Sequence, residues 1–388
     1  MRRSLLALTA AAFGIGTTEF IIMGLLPQLA ADFHVSIPKA GTLVSGYALS
    51  VTVGSPVVAM LLGRMDRRRA LLLLMAMFTA GNLLCALAPG FGLLLGARIL
   101  TALCHGSFFG IASVLAIHIV PRNERARAIA LMFSGLTLAN ILGVPAGTAL
   151  GLAFGWRAGF WALVPVGVLA FALLYWMIPS QHPEPSHLLH ELRAVMRLPV
   201  QIVLAMSTLS SMAMFCVLTY IAPILEFVTH LSPHMVTWVL VVFGVGITIG
   251  NLLGGWLSDR GQMPLILGGM STLIVVFLLM PSAVPHRWPA IAAVFVWGLT
   301  HFAAAAPYQA RIVEQAHSPN LASVLNQSAF NFGNALGASL GGLALLHGIS
   351  YAALPYVSAC VCVLALSAGI VAWRIDAAGG AAPVLSAA

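Results

Sequence analysis

Lysine is all but missing from this chain, and carboxylates are scarce: one Lys, at position 39, and ten Asp and Glu stand among 388 residues. Charged residues make up 7%, where a water-soluble domain carries roughly a quarter, so a solvated globular surface is excluded. The five cysteines, Cys85, Cys104, Cys216, Cys360 and Cys362, all fall within apolar runs. None has zinc-site spacing, no exposed pair suggests a disulfide, and all five read as small core hydrophobes, so no metal is expected. No Gly-x-x-x-x-Gly-Lys-Ser/Thr loop occurs, which argues against direct drive by ATP. The net charge of +8 leaves no solvated basic face once the apolar runs are removed, so nucleic acid is not an expected partner.

What is present is hydrophobicity: 60% of the residues and a mean hydropathy of +1.00. Twelve apolar runs are long enough to cross roughly 30 Å of hydrocarbon. They cover about 5–29, 40–62, 70–88, 92–118, 126–151, 158–178, 200–225, 236–257, 263–281, 288–312, 321–346 and 351–373, and are called spans 1 to 12. Arg2, Arg3 and the run behind them imitate a signal peptide, but the run continues to Leu29 and further spans follow, so it is taken as an uncleaved first helix. The longest polar interval, 179–199, divides 1–178 from 200–388 and is expected to be a linker between two six-helix bundles. With both ends in the cytoplasm, 14 positive residues fall on inner segments. The outer loops hold only Lys39, Arg157 and Arg287, and Arg98 lies within a span. That bias predicts an even number of spans and cytoplasmic termini.

The two halves repeat. Gly135 to Gly147 and Ala329 to Gly341 both carry Asn-x-x-Gly-x-x-x-Gly, through Asn140, Gly143 and Gly147 and through Asn334, Gly337 and Gly341. Pro27 and Pro223, Asp66 and Asp259, and Pro121 and Pro319 recur at nearly the same offset. Equal loop sidedness makes this a parallel repeat about an axis along the membrane normal. The glycines with Pro145 predict a bend and close helix approach. They serve either plain packing or smooth surfaces on which one half moves against the other. Asn140 and Asn334 either glue helices or face a polar cavity. Asp66 is expected to cap span 3 and clasp an Arg of a neighbouring helix end.

Ionisable groups within the spans are the sharpest clues. Glu19 lies roughly 15 Å from the outer end of span 1, so its carboxyl needs water, a partner or a proton. It is either a proton carrier or a structural carboxyl bonded to Thr17, Thr18 or another span. Arg98 and His105 share a face of span 4, at depths bracketing Glu19. Arg98 cannot release its proton and so holds a carboxylate or orients a substrate. His105 titrates, donates to substrate or bonds within the core. His301 stands at the matching place of span 10, with Asn326, Gln327 and Asn331 on span 11 as neutral polar groups. Phe13, Phe109, Phe215 and Trp297 are candidates for apolar cavity walls, beside Thr17 and Asn140.

At these residues the chain resembles the major facilitator superfamily, and within it the drug/proton antiporters and sugar-efflux proteins of the arabinose-efflux-permease type. The resemblance spans about residues 5–375. It rests on Gly16-Thr-Thr-Glu19 through Pro27, on Arg98 through His105-Gly106-Ser-Phe-Phe-Gly110, and on Gly143-Val-Pro145-Ala-Gly147. Gly155-Trp156-Arg157 and Gly255-Trp-Leu-Ser-Asp259-Arg260 complete it. The first-half loop departs from the pattern, with Gly63 three residues before Asp66 rather than four.

The resemblance implies an all-α major facilitator fold of twelve transmembrane helices in two pseudo-symmetric bundles, in a bacterial inner membrane and working as a monomer. It implies alternating access, Glu19 as the coupling carboxylate, Arg98 as relay or charge partner, and Asp66, Arg67, Asp259 and Arg260 as a cytoplasmic gate. Protons are the coupling ion and no cofactor is expected. The leading expectation is export of a small amphipathic compound or sugar. Uptake or facilitated diffusion of sugars is the nearest alternative, and a polytopic enzyme or a non-transporting sensor is remote. Arabinose, chloramphenicol, a nucleoside and other metabolites are not distinguished.

Overall fold

The computed structural model describes residues 2–62, 64–121, 125–181, 196–258, 261–316 and 319–378. Twelve helices are long and apolar enough to cross a membrane. Spans 1 to 4 are Arg2–Asp32, Ile37–Leu62, Arg67–Leu87 and Phe91–His118. Span 6 is Trp156–Met177, span 8 Pro233–Ser258, span 9 Gln262–Ala283, span 11 Pro319–Leu346 and span 12 Leu354–Ala378. Most of the interval 179–199 expected to be a linker, residues 182–195, lies outside the described residues.

Spans 5, 7 and 10 are interrupted, and proline accounts for each interruption. Span 5 runs Arg125–Leu138, widens to a π-helix over Ala139–Gly143 and resumes as Val144–Phe154. Pro145 has no N–H for the carbonyl of Ile141, so the turn before it opens. Span 7 breaks between Leu198–Leu218 and Ile221–Phe227, four residues before Pro223 in the same way. Span 10 breaks between Arg287–Ala303 and Ala305–Ala316, where Pro307 frees the carbonyl of Ala303.

Large apolar side chains point outward along the spans, with Leu61, Phe154 and Trp176 each more than three-quarters exposed. In water such a surface would drive aggregation; against lipid it is the expected face. Cys360 belongs to this surface and is exposed, which corrects its expected place in the core; the other four cysteines are buried.

The glycine rows pack helices within each half. A Cβ on Gly143, Gly147 or Gly151 would strike Thr17, Ile21 or Leu25 of span 1, and one on Gly333, Gly337 or Gly341 would strike the backbone of span 7. Plain packing is therefore what these rows do, and the expected sliding surface between halves is not on them. The close approach between halves comes at Gly244 of span 8, where a Cβ would stand 2.7 Å from the carbonyl oxygen of Asn140 in the π-helix. Phe20 meets Phe215 across the same seam, with ring centroids 6.0 Å apart. Span 2 packs along span 11, and Thr52 Oγ1 reaches the carbonyl of Ser328 at 3.4 Å.

Gly155, at φ 87°, turns the chain sharply from span 5 into span 6, a conformation other residues adopt at a cost. The turn delivers Trp156 and Arg157 to Asp32 at the end of span 1. Trp156 Nε1 donates to Asp32 Oδ2 at 2.7 Å and Arg157 at 3.1 Å, while Arg157 also holds the carbonyl of Ala88 at 3.0 Å. Spans 1, 3 and 6 are thus tied at one end.

Candidate functional site

Span 1 is sealed on most sides by its neighbours, and Glu19 sits within it at 8% exposure. Span 4 brings His105 to it, with Nδ1 at 3.8 Å from Glu19 Oε2. His105 is 6% exposed and Arg98 fully buried. Glu19, Arg98 and His105, chosen from sequence as one set, therefore come together from two helices.

Arg98 does not engage the carboxylate. Its guanidinium donates to the main-chain carbonyl of Thr18 and, at 3.4 Å, to that of Glu19. The cation is spent on the backbone that carries Glu19, a positioning arrangement. Thr18 Oγ1 then donates to Asn82 Oδ1 at 2.5 Å, and Asn82 Nδ2 to the carbonyl of Phe78 at 2.9 Å, fixing span 1 against span 3.

Tyr47 of span 2 is the residue sequence reasoning missed. Its ring lies under the Arg98 guanidinium at 4.1 Å, and its hydroxyl lies 3.1 Å from His105 Nδ1. A lone tyrosine in an apolar span was the available signal, since a buried phenol needs a partner. His105 also packs on Phe109, which stacks on Phe133 at 5.2 Å. Phe109 is buried in this aromatic column of the first half.

The other expected cavity residues divide. Phe215, Phe20 and Asn140 lie at the seam between halves, and a crevice of about 10 Å³ there is lined by Phe20, Asn140 and Phe243 among others. Asn140 Nδ2 donates to the carbonyl of Leu136 at 2.9 Å. Thr17 donates to the carbonyl of Phe13 at 2.8 Å and packs on Gly143, inside the first half. Phe13 itself is half-buried. Trp297 is fully buried between Phe243 and Phe277, at ring distances of 4.9 and 5.8 Å, and offers no surface to a cavity here. Ring packing between three spans took it inward.

In the second half, Asn326 accepts from Ser207 at 2.7 Å and donates to Gln309 at 2.8 Å, joining spans 7, 10 and 11. Asn334 accepts from Ser211, so it glues helices while its repeat partner Asn140 lines the seam crevice. Asn331 donates to the carbonyl of Gln327 at 3.0 Å; its Oδ1 and the Nδ1 of His301 are buried without a partner. Gln327 is half-buried.

At the end of the molecule that carries both chain ends, Asp66 caps span 3 by accepting from the Arg69 amide at 3.1 Å. Its other oxygen accepts from Ser180 Oγ and the Gln181 amide, each at 2.7 Å, and Arg67 binds Gln181 through its own amide and Nη1. The cap is as expected, and the other carboxylate oxygen holds the segment leaving span 6. Asp259 and Arg260 lie outside the described residues.

Twelve membrane-crossing helices in a repeated arrangement, with ionisable groups enclosed at mid-depth, define a polytopic membrane transporter. The chain belongs to the Major Facilitator Superfamily, whose profile matches residues 8–221 and again 203–384. It is a multi-pass secondary transporter and not an enzyme. It is 46% identical to "Inner membrane transport protein YdhP" of Escherichia coli K12, over 93% of this chain and 94% of that protein. It is 37% identical to "Uncharacterized MFS-type transporter YtbD" of Bacillus subtilis 168, over 88% of each, and 32% identical to "Putative transporter AraJ" of E. coli K12, over 90% of each. Its fold matches the crystal structure of a bacterial homologue of the human lysosomal transporter Spinster, inward-facing and unoccupied. There the TM-score is 0.76, the identity 17%, and the match covers 96% of each chain.

Proposed function

We propose that this chain is a proton-coupled exporter of a small uncharged or amphipathic molecule, a sugar or drug-like compound, and that Glu19 carries the proton. The observation that carries the reading is the pairing of a buried mid-span carboxyl with an arginine whose donors go to the main chain. Without a permanent ion-pair partner, a carboxyl in that setting can exist as acid or as anion, as a reversible carrier must. Exchange follows when proton and substrate occupy the site alternately, while the halves rock about the seam at Phe20, Phe215, Asn140 and Gly244. The polar atoms the second half leaves without a partner, His301 Nδ1 and Asn331 Oδ1, suit a hydrogen-bonding, uncharged substrate better than a cation. Similarity to an inner membrane transport protein supports an inner-membrane location, and the arginine bias supports cytoplasmic termini. The transporter is taken to work as a monomer.

The test uses compounds that raise the melting temperature of the purified protein. In sealed vesicles, an imposed pH gradient drives their net transport by the wild type. In Glu19→Gln, gradient-driven net transport is lost while exchange of labelled for unlabelled compound continues. Gradient-driven transport that survives Glu19→Gln unchanged sinks the assignment.

A further inference from the structure

Two side chains, from spans 1 and 2, converge on one imidazole nitrogen of span 4. His105 Nδ1 is 3.1 Å from the Tyr47 hydroxyl and 3.8 Å from Glu19 Oε2. Tyr47 is 1% exposed, and its ring is pinned by the Arg98 guanidinium above it. That guanidinium is pinned in turn by the carbonyls of Thr18 and Glu19. The phenol ring is therefore held beside Nδ1 by a guanidinium that is itself fixed to the main chain of span 1. Between a hydroxyl at 3.1 Å and a carboxyl at 3.8 Å, only the first is within hydrogen-bond distance.

We propose that Tyr47 is a positioning residue that holds His105 in its Nε2–H tautomer by donating to Nδ1, and so decides when His105 takes the proton of Glu19. In the arrangement present, the Nδ1 lone pair is occupied and Glu19 keeps its proton. When the phenol turns its hydrogen away, Glu19 Oε2 closes from 3.8 Å to hydrogen-bond distance of Nδ1, its O–H bond breaks and an Nδ1–H bond forms. A carboxylate and an imidazolium face each other, and the intact Tyr47 hydroxyl becomes the acceptor for the new N–H. Proton and charge balance without a further reactant. The carrier is then a pair of groups with a latch, which separates loading of the proton from its release.

The other ionisable groups near the cluster are Arg98 and Cys104 on span 4 and Cys85 on span 3. Span 11 packs on spans 2 and 4 and carries no ionisable side chain from Pro319 to Leu346. Of the remaining helices on span 1, span 6 brings Arg157 near its end, and span 7 carries Cys216, Glu226 and Tyr220, whose hydroxyl donates to the carbonyl of Ala338. Among the described residues, nothing else in reach competes for Nδ1.

This inference rests on Glu19 being the proton carrier, and the probe is the proton itself, so no transported compound is needed. The full-length protein in lipid nanodiscs is titrated while infrared spectroscopy follows the carboxylic-acid C=O band that disappears in Glu19→Gln. Tyr47→Phe, which keeps the ring over Arg98, moves the midpoint of that band by at least about half a pH unit, roughly threefold in proton affinity. His105→Gln moves it to the same extent, and the double variant moves it no further. A midpoint unmoved in Tyr47→Phe, or shifts that add, overturns the proposal. Nitrogen NMR of histidine-labelled wild type reads the tautomer without any change at the latch, with the His105 signals identified by their loss in His105→Gln. An Nε2–H signal supports the proposal, and an Nδ1–H signal overturns it. If the infrared result holds while gradient-driven transport survives Glu19→Gln, the antiport reading alone has failed.

Discussion

Arg98 of span 4 donates to the main-chain carbonyl of Thr18 on span 1, and not to the carboxylate one residue further on. The charge most expected to neutralise Glu19 instead fixes the helix on which Glu19 rides. A planar fork that reaches two carbonyls needs guanidinium geometry, which an ammonium does not reproduce. Arg98→Lys is therefore expected to lower stability by roughly 3 kcal/mol, since one carbonyl loses its donor and a compact charge is left buried. A thermal melt in detergent checks this; a melt within a degree of wild type contradicts the positioning role.

Gly337 packs against the backbone of span 7, where a Cβ meets the carbonyl of Met212, while Gly96 has open space around it. Gly337→Ala is expected to destabilise by about 1–3 kcal/mol through overpacking. Gly96→Ala is expected to be neutral or slightly stabilising, since alanine is the better helix former. Equal melting temperatures for the two variants would contradict this packing of span 11 on span 7.

Gly244 faces the π-helix of span 5 across the two halves. Gly244→Val inserts branched carbon at the seam and is expected to hold the halves apart there. Transport of the identified compound should fall at least about tenfold, while the melting temperature falls no further than a 1–3 kcal/mol packing defect allows. Retained transport would mean that the halves do not need this approach.

Asp66 receives hydrogen bonds from Arg69, Ser180 and Gln181. Asp66→Ala removes a cap worth about 1 kcal/mol and leaves the segment at 180–181 without its anchor. Protease cleavage after Pro179 should accelerate severalfold. Asp66→Asn, which can still cap, should lose less. Cleavage rates that do not rank wild type, Asn, Ala in that order would count against the clasp.

The twelve spans were legible because hydropathy is additive along the chain and a bilayer demands a fixed apolar length. Pro145 marked the bend of span 5 for a local reason, but Pro27, Pro56, Pro165 and Pro281 lie inside unbroken helices, so proline alone did not mark where spans 7 and 10 break. Which way each helix turns about its own axis was not legible. Trp297 reads in sequence like a cavity wall and packs inside the second half; Gly143 and Gly337 read equally as plain packing or as a surface between halves, and pack within each half. Tyr47 was marked in sequence only as a phenol in an apolar span, because its partners lie on spans 1 and 4. Asp32 likewise gained meaning only when Gly155 delivered Trp156 and Arg157 to it.

By itself, then, the sequence determined a membrane protein of two like halves with a carboxyl, an arginine and a histidine enclosed at mid-depth, since transfer from water and helical rise depend on the chain alone. Only the tertiary structure decided that the arginine holds backbone, that a tyrosine reaches the histidine, and that Gly244 meets Asn140. Those relations depend on how helices rotate and approach, which is set by packing between residues far apart in the chain.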